Sequence, residues 1–370
     1  MTSVFAVRLV SPRYSPPYPV IIGKDLVKDL GDILAEYTRL NPLNCLVAYP
    51  QPLEWLANTV VQGLSSFCTH VYKFALPDGE DAKRLEKVLE LVEFMHRLGF
   101  SRRDLVVVAG GGAASDSAGF AAAIYKRGVP YVNIPSTLLS MVDAAIGGKV
   151  AVNHAGLKNL LGTFYQPRAV IEDVSLLATL PKLEVLSGLG EIVKYAYTLS
   201  AELHDMLVKH GTKVVEEPNL LAEAVSYSVN SKARIVELDE REEYGLREIL
   251  NFGHTFGHAL EEAAKGEVKH GIAVAWGCVV ESWAGVHLGF TPRWVAEELE
   301  SLVRRLGFPQ PKLPEFDILT TLMAKDKKVH GDVIRGVFPL APGRGLVVDV
   351  RLKDYVEAVR RAAARVWRGE

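Results

Sequence analysis

An α/β half built on a parallel sheet, followed by a mainly α-helical half, is the architecture this sequence predicts. Two observations point to it. From residue 4 to residue 134 short β-type apolar runs alternate with helical patterns, among them DLVVVA at 104–109, a continuous run of the kind buried on both faces of a sheet. Strand and helix alternating at this spacing give a parallel sheet covered on both sides. Beyond about Leu180 strand candidates thin out and helical periodicities follow one another to about Ala324. The expected division is 1–180 and 181–370, since a chain of 370 residues exceeds one simple core.

Taken in order, 4–10 and 18–22 read as strands around a Pro-rich turn, and 25–37 as a helix. Residues 45–49 are a strand, 53–65 a helix, 70–76 extended and 82–98 a long amphipathic helix. The 104–109 strand leads to a helix over 113–127 and a strand over 130–134. In the second half Pro181 opens a helix at 182–199. Helical patterns follow at 201–210, 220–238, 245–264, 272–288 and 292–306. A β pair over 332–340 and 345–350 precedes a last helix at 353–367.

Composition excludes several classes. Apolar residues are 49% and charged residues 23%, a globular profile. A net charge of −2 gives no electrostatic basis for binding nucleic acid or an anionic membrane, so an anionic ligand must be held by a few local cations. Cys45, Cys68 and Cys278 are widely spaced with no CxxC, which fits buried thiols in a reducing cytosol better than a disulfide framework. The first twenty residues lack the apolar run of a signal peptide, and no apolar stretch reaches membrane-spanning length without charge or glycine interruptions. The expected location is cytoplasmic.

Directly after the 104–109 strand comes Gly110-Gly111-Gly112-Ala113-Ala114-Ser115-Asp116, then a helix. Glycines between a strand end and a helix start let backbone N–H groups approach a phosphate, with the helix N-terminus adding partial positive charge. Ser115 stands where the dinucleotide fingerprint has a glycine, and the turn follows a late strand rather than the first; a plain tight turn is the alternative reading. Ser136 and Thr137 follow at the next strand end. Asp143, Gly147-Gly148-Lys149, Asn153 and Lys158-Asn159 then run along a glycine-rich loop as a second anion site, suited to a substrate phosphate, with solvated surface lysines as the alternative reading.

Three of the ten histidines, His254, His258 and His270, fall within ILNFGHTFGHALEEAAKGEVKHGI at 249–272. His254 and His258 share a helix face, and a break at Lys265-Gly266-Glu267 can return His270 beside them. This spacing suits a metal and equally a packed helix face. Two imidazoles are too few for a catalytic metal, so a further ligand must come from elsewhere.

Taken together these motifs resemble 3-dehydroquinate synthase, of the sugar phosphate cyclase superfamily. The matching pieces are GEDAK (79–83), GGGAASDSAGFAAAIYKRG (110–128), IPSTLLSMVDAAIGGKVAVN (134–153), KNLLGTFYQP (158–167), SGLGEIVKYA (187–196), DERE (239–242), GLREILNFGHTFGHALE (245–261), KHG (269–271) and DKK (326–328). They occur in the family's order. The fold implied is dehydroquinate synthase-like, a Rossmann-like α/β domain and a helical domain. The metal set implied is Glu191, His254 and His270 around zinc, with cobalt also tolerated by such ligands. His258 becomes instead a phosphate neighbour and proton-transfer group.

The NAD set implied is Glu80, Lys83, Gly111, Gly112, Ala113, Asp116, Ser136, Thr137, Leu139, Asp143, Lys158, Thr179 and Glu184. Catalytic or substrate-binding roles fall to Asp143, Lys149, Asn159, Lys194, Lys232, Arg247, Asn251 and His258, with Lys327 or Lys328 closing over the phosphate. Lys232 and Arg247 would take the substrate carboxylate. Arg127 matches an arginine reaching from a neighbouring subunit, implying a homodimer. The activity implied is conversion of 3-deoxy-D-arabino-heptulosonate 7-phosphate to 3-dehydroquinate and phosphate, in the shikimate pathway. NAD is reduced and reoxidised within the cycle. Other cyclases making inosose or valiolone-type rings, and metal-dependent glycerol or glycerol-phosphate dehydrogenases, share the layout; a non-catalytic nucleotide-binding protein is a further alternative. Three departures stand out: Ser115 for the usual glycine in the GGG turn, which would tighten the space near the pyrophosphate, one extra residue between Lys232 and Arg247, and Ile272 in place of the family's glutamate after His270-Gly271.

Overall fold

The computed structural model describes residues 2–325 and 329–368. They form two compact units, Met1–Leu180 with Lys232–Arg241, and Pro181–Ser231 with Glu242–Glu370. The expected division at 180 therefore misses one element: Lys232–Arg241, in the midst of the helical half, clusters with the first unit.

The first unit contains β1 (Ser3–Val10), β2 (Tyr18–Lys24), α1 (Leu30–Tyr37), β3 (Asn44–Pro50), α2 (Glu54–Gly63), β4 (His70–Leu76), α3 (Leu85–Arg97), β5 (Leu105–Gly110), α4 (Gly112–Ile124), β6 (Tyr131–Pro135), β7 (Lys149–His154), β8 (Leu157–Phe164) and β9 (Ala169–Asp173). Seven strands make one sheet in the order β1-β2-β9-β6-β5-β3-β4, parallel except for the β1–β2 pair. β5 is buried along its whole length, as an LVVVA run demands. Alternate residues of β3 and β5 feed two cores. Cys45, Val47, Leu105 and Val107 pack with α1 and α2, whereas Leu46, Ala48, Val106 and Val108 pack with α3 and α4.

Two expectations are corrected here. The glycine-rich path over 147–159 is no tight loop: β7 and β8 pair antiparallel as a separate hairpin carrying Lys149 and Lys158. Cys45 and Cys68 are not thiols but a disulfide, Cα to Cα 6.0 Å, while Cys278 is a buried free thiol. The turn after α2, in which the Cys68 amide donates to the Leu64 carbonyl at 3.0 Å, brings Cys68 back beneath β3. That proximity has no trace in the spacing of the cysteines.

The second unit holds α5 (Lys182–Thr198), α6 (Ala201–His210), α7 (Lys213–Glu216), most of α8 (Pro218–Leu238), α9 (His254–Ala263), α10 (His270–Leu288), α11 (Arg293–Arg305) and α12 (Phe316–Ala324). An antiparallel sheet of β10 (Val329–His330), β11 (Val333–Ala341) and β12 (Arg344–Arg351) follows, then α13 (Leu352–Arg368). The axis of the unit is α10, which packs against α5, α9, α11 and α13. It is the one helix among the described residues long and apolar enough to cross a membrane, and 83% of that apolar window is buried inside the unit. A helix apolar on every side is a core helix when its neighbours cover it.

Candidate active site

Glycines build the histidine cluster. A Cβ on Gly190 would stand 2.6 Å from the Gly271 carbonyl carbon, and one on Gly271 would overlap the Ser187 backbone. α5 and α10 therefore meet backbone to backbone, fixed by the Gly271 amide donating to Ser187 Oγ at 3.1 Å. This apposition sets Glu191, one residue after Gly190, beside His270, one before Gly271. On the other flank a Cβ on Gly277 would overlap the Gly253 carbonyl, which draws α9 onto α10 and brings in His254.

The three side chains converge. His254 Nε2 lies 3.5 Å and His270 Nε2 3.3 Å from the same Glu191 oxygen, Oε1. Lys194, one helical turn on, pairs with the other oxygen. The His258 ring stands 5.1 Å from that of His254 and 5.6 Å from that of His270, centroid to centroid. One ligand atom from each histidine fits within 4.8 Å of the others, so His258 remains geometrically close to the cluster, though more exposed than either.

The imidazoles are held from behind. His254 Nδ1 donates to the Phe252 carbonyl at 3.0 Å, and His270 Nδ1 to Glu261 Oε2 at 2.8 Å. Both Nε2 atoms thus face Glu191, the arrangement in which outer acceptors orient metal-binding imidazoles. Burial, only partly offset by Glu191, pushes His254 well below the ordinary histidine range. For His270 burial also acts downward, but the bonds to Glu191 and Glu261 outweigh it and push the imidazole up to about 10. A proton on His270 there meets an excess of negative charge that a divalent cation would also satisfy. Two imidazoles and a carboxylate in this arrangement fit a catalytic zinc-type ion, which keeps further positions for substrate.

In the first unit the Gly110–Gly112 turn lies at the carboxyl end of β5, beside the end of β3, where a Cβ on Gly110 would crowd Pro50. β4 lies on one side of β3, whereas β5, β6 and β9 lie on the other, so the chain reverses its direction of travel between β3 and β5. That is the switch point at which open α/β sheets bind ligands, and no reading of strand order from sequence located it. Gly111 is the N-cap of α4 and no side chain caps it. Gly111 approaches Thr137, the Ser136 amide donates to the Gly110 carbonyl at 3.0 Å, and Leu139 precedes a π-turn at Ser140–Ala144. An uncapped helix N-terminus behind a glycine turn fits a dinucleotide pyrophosphate.

Ser115 does not crowd this space. It is buried and accepts a 2.6 Å hydrogen bond from Asn133 Nδ2, pointing into the sheet.

Around the turn, Lys83 Nζ donates to Asp116 at 2.5 Å and to Asn159, and Glu80 accepts from Asn153 at 2.7 Å. Ala113 lies in the first turn of α4, and Thr179 ends a 3-10 turn, Val174–Thr179. Asp143, on the π-turn, holds Lys232 at 2.7 Å. Lys149 and Lys158 are exposed on the hairpin, and Arg127 is exposed in a left-handed turn (φ 66°) after α4.

In the second unit Arg247 is buried and pairs with Glu242 at 3.3 Å. Asn251 ends the same 3-10 turn, Leu246–Asn251, while Glu184 pairs with Lys269 at 2.7 Å. Lys232 and Arg247, expected as one carboxylate clamp, thus belong to different units. Lys327 and Lys328 lie outside the described residues.

Glu261, the Phe252 carbonyl and a buried carboxylate, Glu281, went unnoticed in the sequence. The available signal was a glycine adjoining each cluster residue: Gly190, Gly253, Gly257 and Gly271.

Models of 3-dehydroquinate synthase match this chain over both parts, N-terminal at residues 73–187 and C-terminal at 188–329. The chain belongs to the 3-dehydroquinate synthase family. Relatives of that name include one from Sulfurisphaera tokodaii, 40% identical over 92% of this chain and 96% of the relative. Another, from Saccharolobus solfataricus, is 37% identical over 86% and 90%. Among solved structures, a 2-epi-5-epi-valiolone synthase from Streptomyces hygroscopicus with NAD+ and Zn2+ bound is 29% identical, TM-score 0.83, over 96% of this chain and 99% of that one. A 2-deoxy-scyllo-inosose synthase complexed with carbaglucose-6-phosphate, NAD+ and Co2+ shares the fold at 22% identity and TM-score 0.85, with the same coverage.

Proposed function

We infer that this chain catalyses its family's reaction, conversion of 3-deoxy-D-arabino-heptulosonate 7-phosphate to 3-dehydroquinate and phosphate. The observation that carries the mechanism is the convergence of Glu191, His254 and His270 on one point. Those three residues would hold a divalent ion, zinc in the first instance, and the glycine turn with Thr137 and Asp116 would hold NAD. When bound, the metal supplies Lewis acidity and the nicotinamide a reversible hydride acceptor, which together make the proton neighbouring the oxidised carbon acidic enough for phosphate to leave.

The chain's own groups do the rest. Lys149 and Asn159 bind phosphate, with His258 close enough to the cluster to pass a proton; the substrate's own phosphate can accept the proton lost in elimination. Arg247 offers a fork-shaped guanidinium to the carboxylate, with Lys232 as the second cation. Lys194 balances the charge of Glu191. Arg127 is positioned on an exposed turn from which it would serve a neighbouring subunit in a homodimer.

The test is to supply enzyme, zinc, catalytic NAD+ and the heptulosonate phosphate, and to follow phosphate and NADH. Phosphate release in excess of the NAD+ present, with no NADH accumulating, is expected; net NADH formation would indicate a dehydrogenase instead. Glu191→Ala or His254→Ala should abolish turnover while the fold survives, and near-normal turnover by either would remove the metal assignment. Arg247→Ala should weaken the carboxylated substrate far more than NAD. Equal losses in titrations of the two would count against the carboxylate role.

A further inference from the structure

We propose that Glu281 is a positioning residue for the metal centre, holding the start of α9 so that His254 faces Glu191. The proposal rests on the metal reading above. Glu281 is 1% exposed, on the helix that forms the apolar axis of the second unit. A carboxylate at such depth is costly unless its charge is met by hydrogen bonds. Its two oxygens meet one target. Oε2 accepts from the Gly253 amide at 2.9 Å and Oε1 from the Phe256 amide at 3.0 Å.

These amides bracket His254, the first residue of α9. The first turn of a helix carries N–H groups without intrahelical partners, and a negative charge there is favourable. Gly253, the N-cap residue, has φ 76° and makes no side-chain cap, so the cap comes from another helix. The same junction is closed by packing, since a Cβ on Gly253 would meet Cys278 Sγ and the Val274 carbonyl. Packing sets how near α9 comes to α10. The two bonds to Glu281 set how its first turn is rotated, and with it where His254 Nε2 points.

Glu281→Gln keeps the shape but presents an NH2 group to one of the two amides, so one bond becomes a donor–donor clash. The experiment titrates the metal-free full-length protein with Zn2+ against a chromophoric chelator, and with Co2+ by its visible absorption. Native protein, Glu281→Gln, Glu281→Ala and His254→Ala are compared. Outer residues of metal sites typically contribute about 10–100-fold in affinity, so Glu281→Gln is expected to bind Zn2+ at least about tenfold more weakly and to shift the Co2+ band, with NAD affinity unchanged. A purely structural Glu281 would lower the melting temperature of the metal-free protein yet leave the Zn2+ affinity and Co2+ band of the folded protein native. That result in the glutamine variant overturns the proposal, whether or not the alanine variant folds. Should His254→Ala bind Zn2+ like the native protein, the metal reading itself fails and takes the proposal with it, an outcome separate from a native-like Glu281→Gln beside a defective His254→Ala.

Discussion

At the scale of single residues, Glu172 in the first unit opposes the fold. Glu172 of β9 is fully buried, and neither carboxylate oxygen has a hydrogen-bond partner among the described residues. Burial pushes its carboxyl well above the ordinary glutamate value of 4.5. The folded protein therefore keeps a proton that the unfolded chain gives up, and this group's contribution to stability falls as pH rises above about 4.5. Glu172→Val, of similar volume and good strand propensity, should stabilise the protein by roughly 1–3 kcal/mol at pH 7. The gain should shrink at pH 3, where the carboxyl is protonated in both states and only the cost of an unpaired neutral group remains. Denaturant melts at the two pH values check this, and a gain equal at both would mean that ionisation is not the cause. Glu172 also explains a missed strand, because a glutamate in AVIED breaks the apolar run that identified β5.

Among elements, the α5–α10 apposition is where sequence and site meet. Gly271→Ala pushes a methyl group into the Ser187 backbone. Overpacking of this kind costs about 1–3 kcal/mol, and because the contact also sets Glu191 against His270, zinc affinity should fall with the melting temperature. A variant native in both would mean that the helices part without consequence. The disulfide makes a second prediction. Cys45 and Cys68 are 23 positions apart and tie β3 to the turn after α2, so Cys45→Ala should destabilise the fold by about 3 kcal/mol, measured by urea unfolding against the oxidised protein.

Most strands and helices were legible because buried runs and amphipathic faces have distinct periods. The β7–β8 hairpin was not, since β8 is exposed along nearly its whole length and carries no alternation. The histidines were legible by spacing, but Glu191 entered only through resemblance. Glu261 and Glu281 act through the tertiary approach of α9 to α10, which no local pattern encodes.

For the whole molecule, the proposed assignment places nucleotide and metal on separate compact units, which hydrogen exchange can read. NAD+ should protect the amides around Gly111–Asp116, and zinc those around Gly253–His258. Protection of the glycine turn by zinc alone would contradict that partition. The segment Lys232–Arg241 carries a practical corollary. From it Glu237 holds Arg8 at 2.8 Å, Glu240 accepts from the Tyr14 amide at 2.6 Å and from Gln166 at 3.2 Å, and Lys232 holds Asp143. Truncation after Leu180 would strip those anchors from the amino-terminal arm and from the π-turn. A shortened gene encoding 1–180 should thus yield insoluble or molten product, and any attempt to produce a stand-alone nucleotide module would have to graft the later decapeptide back on.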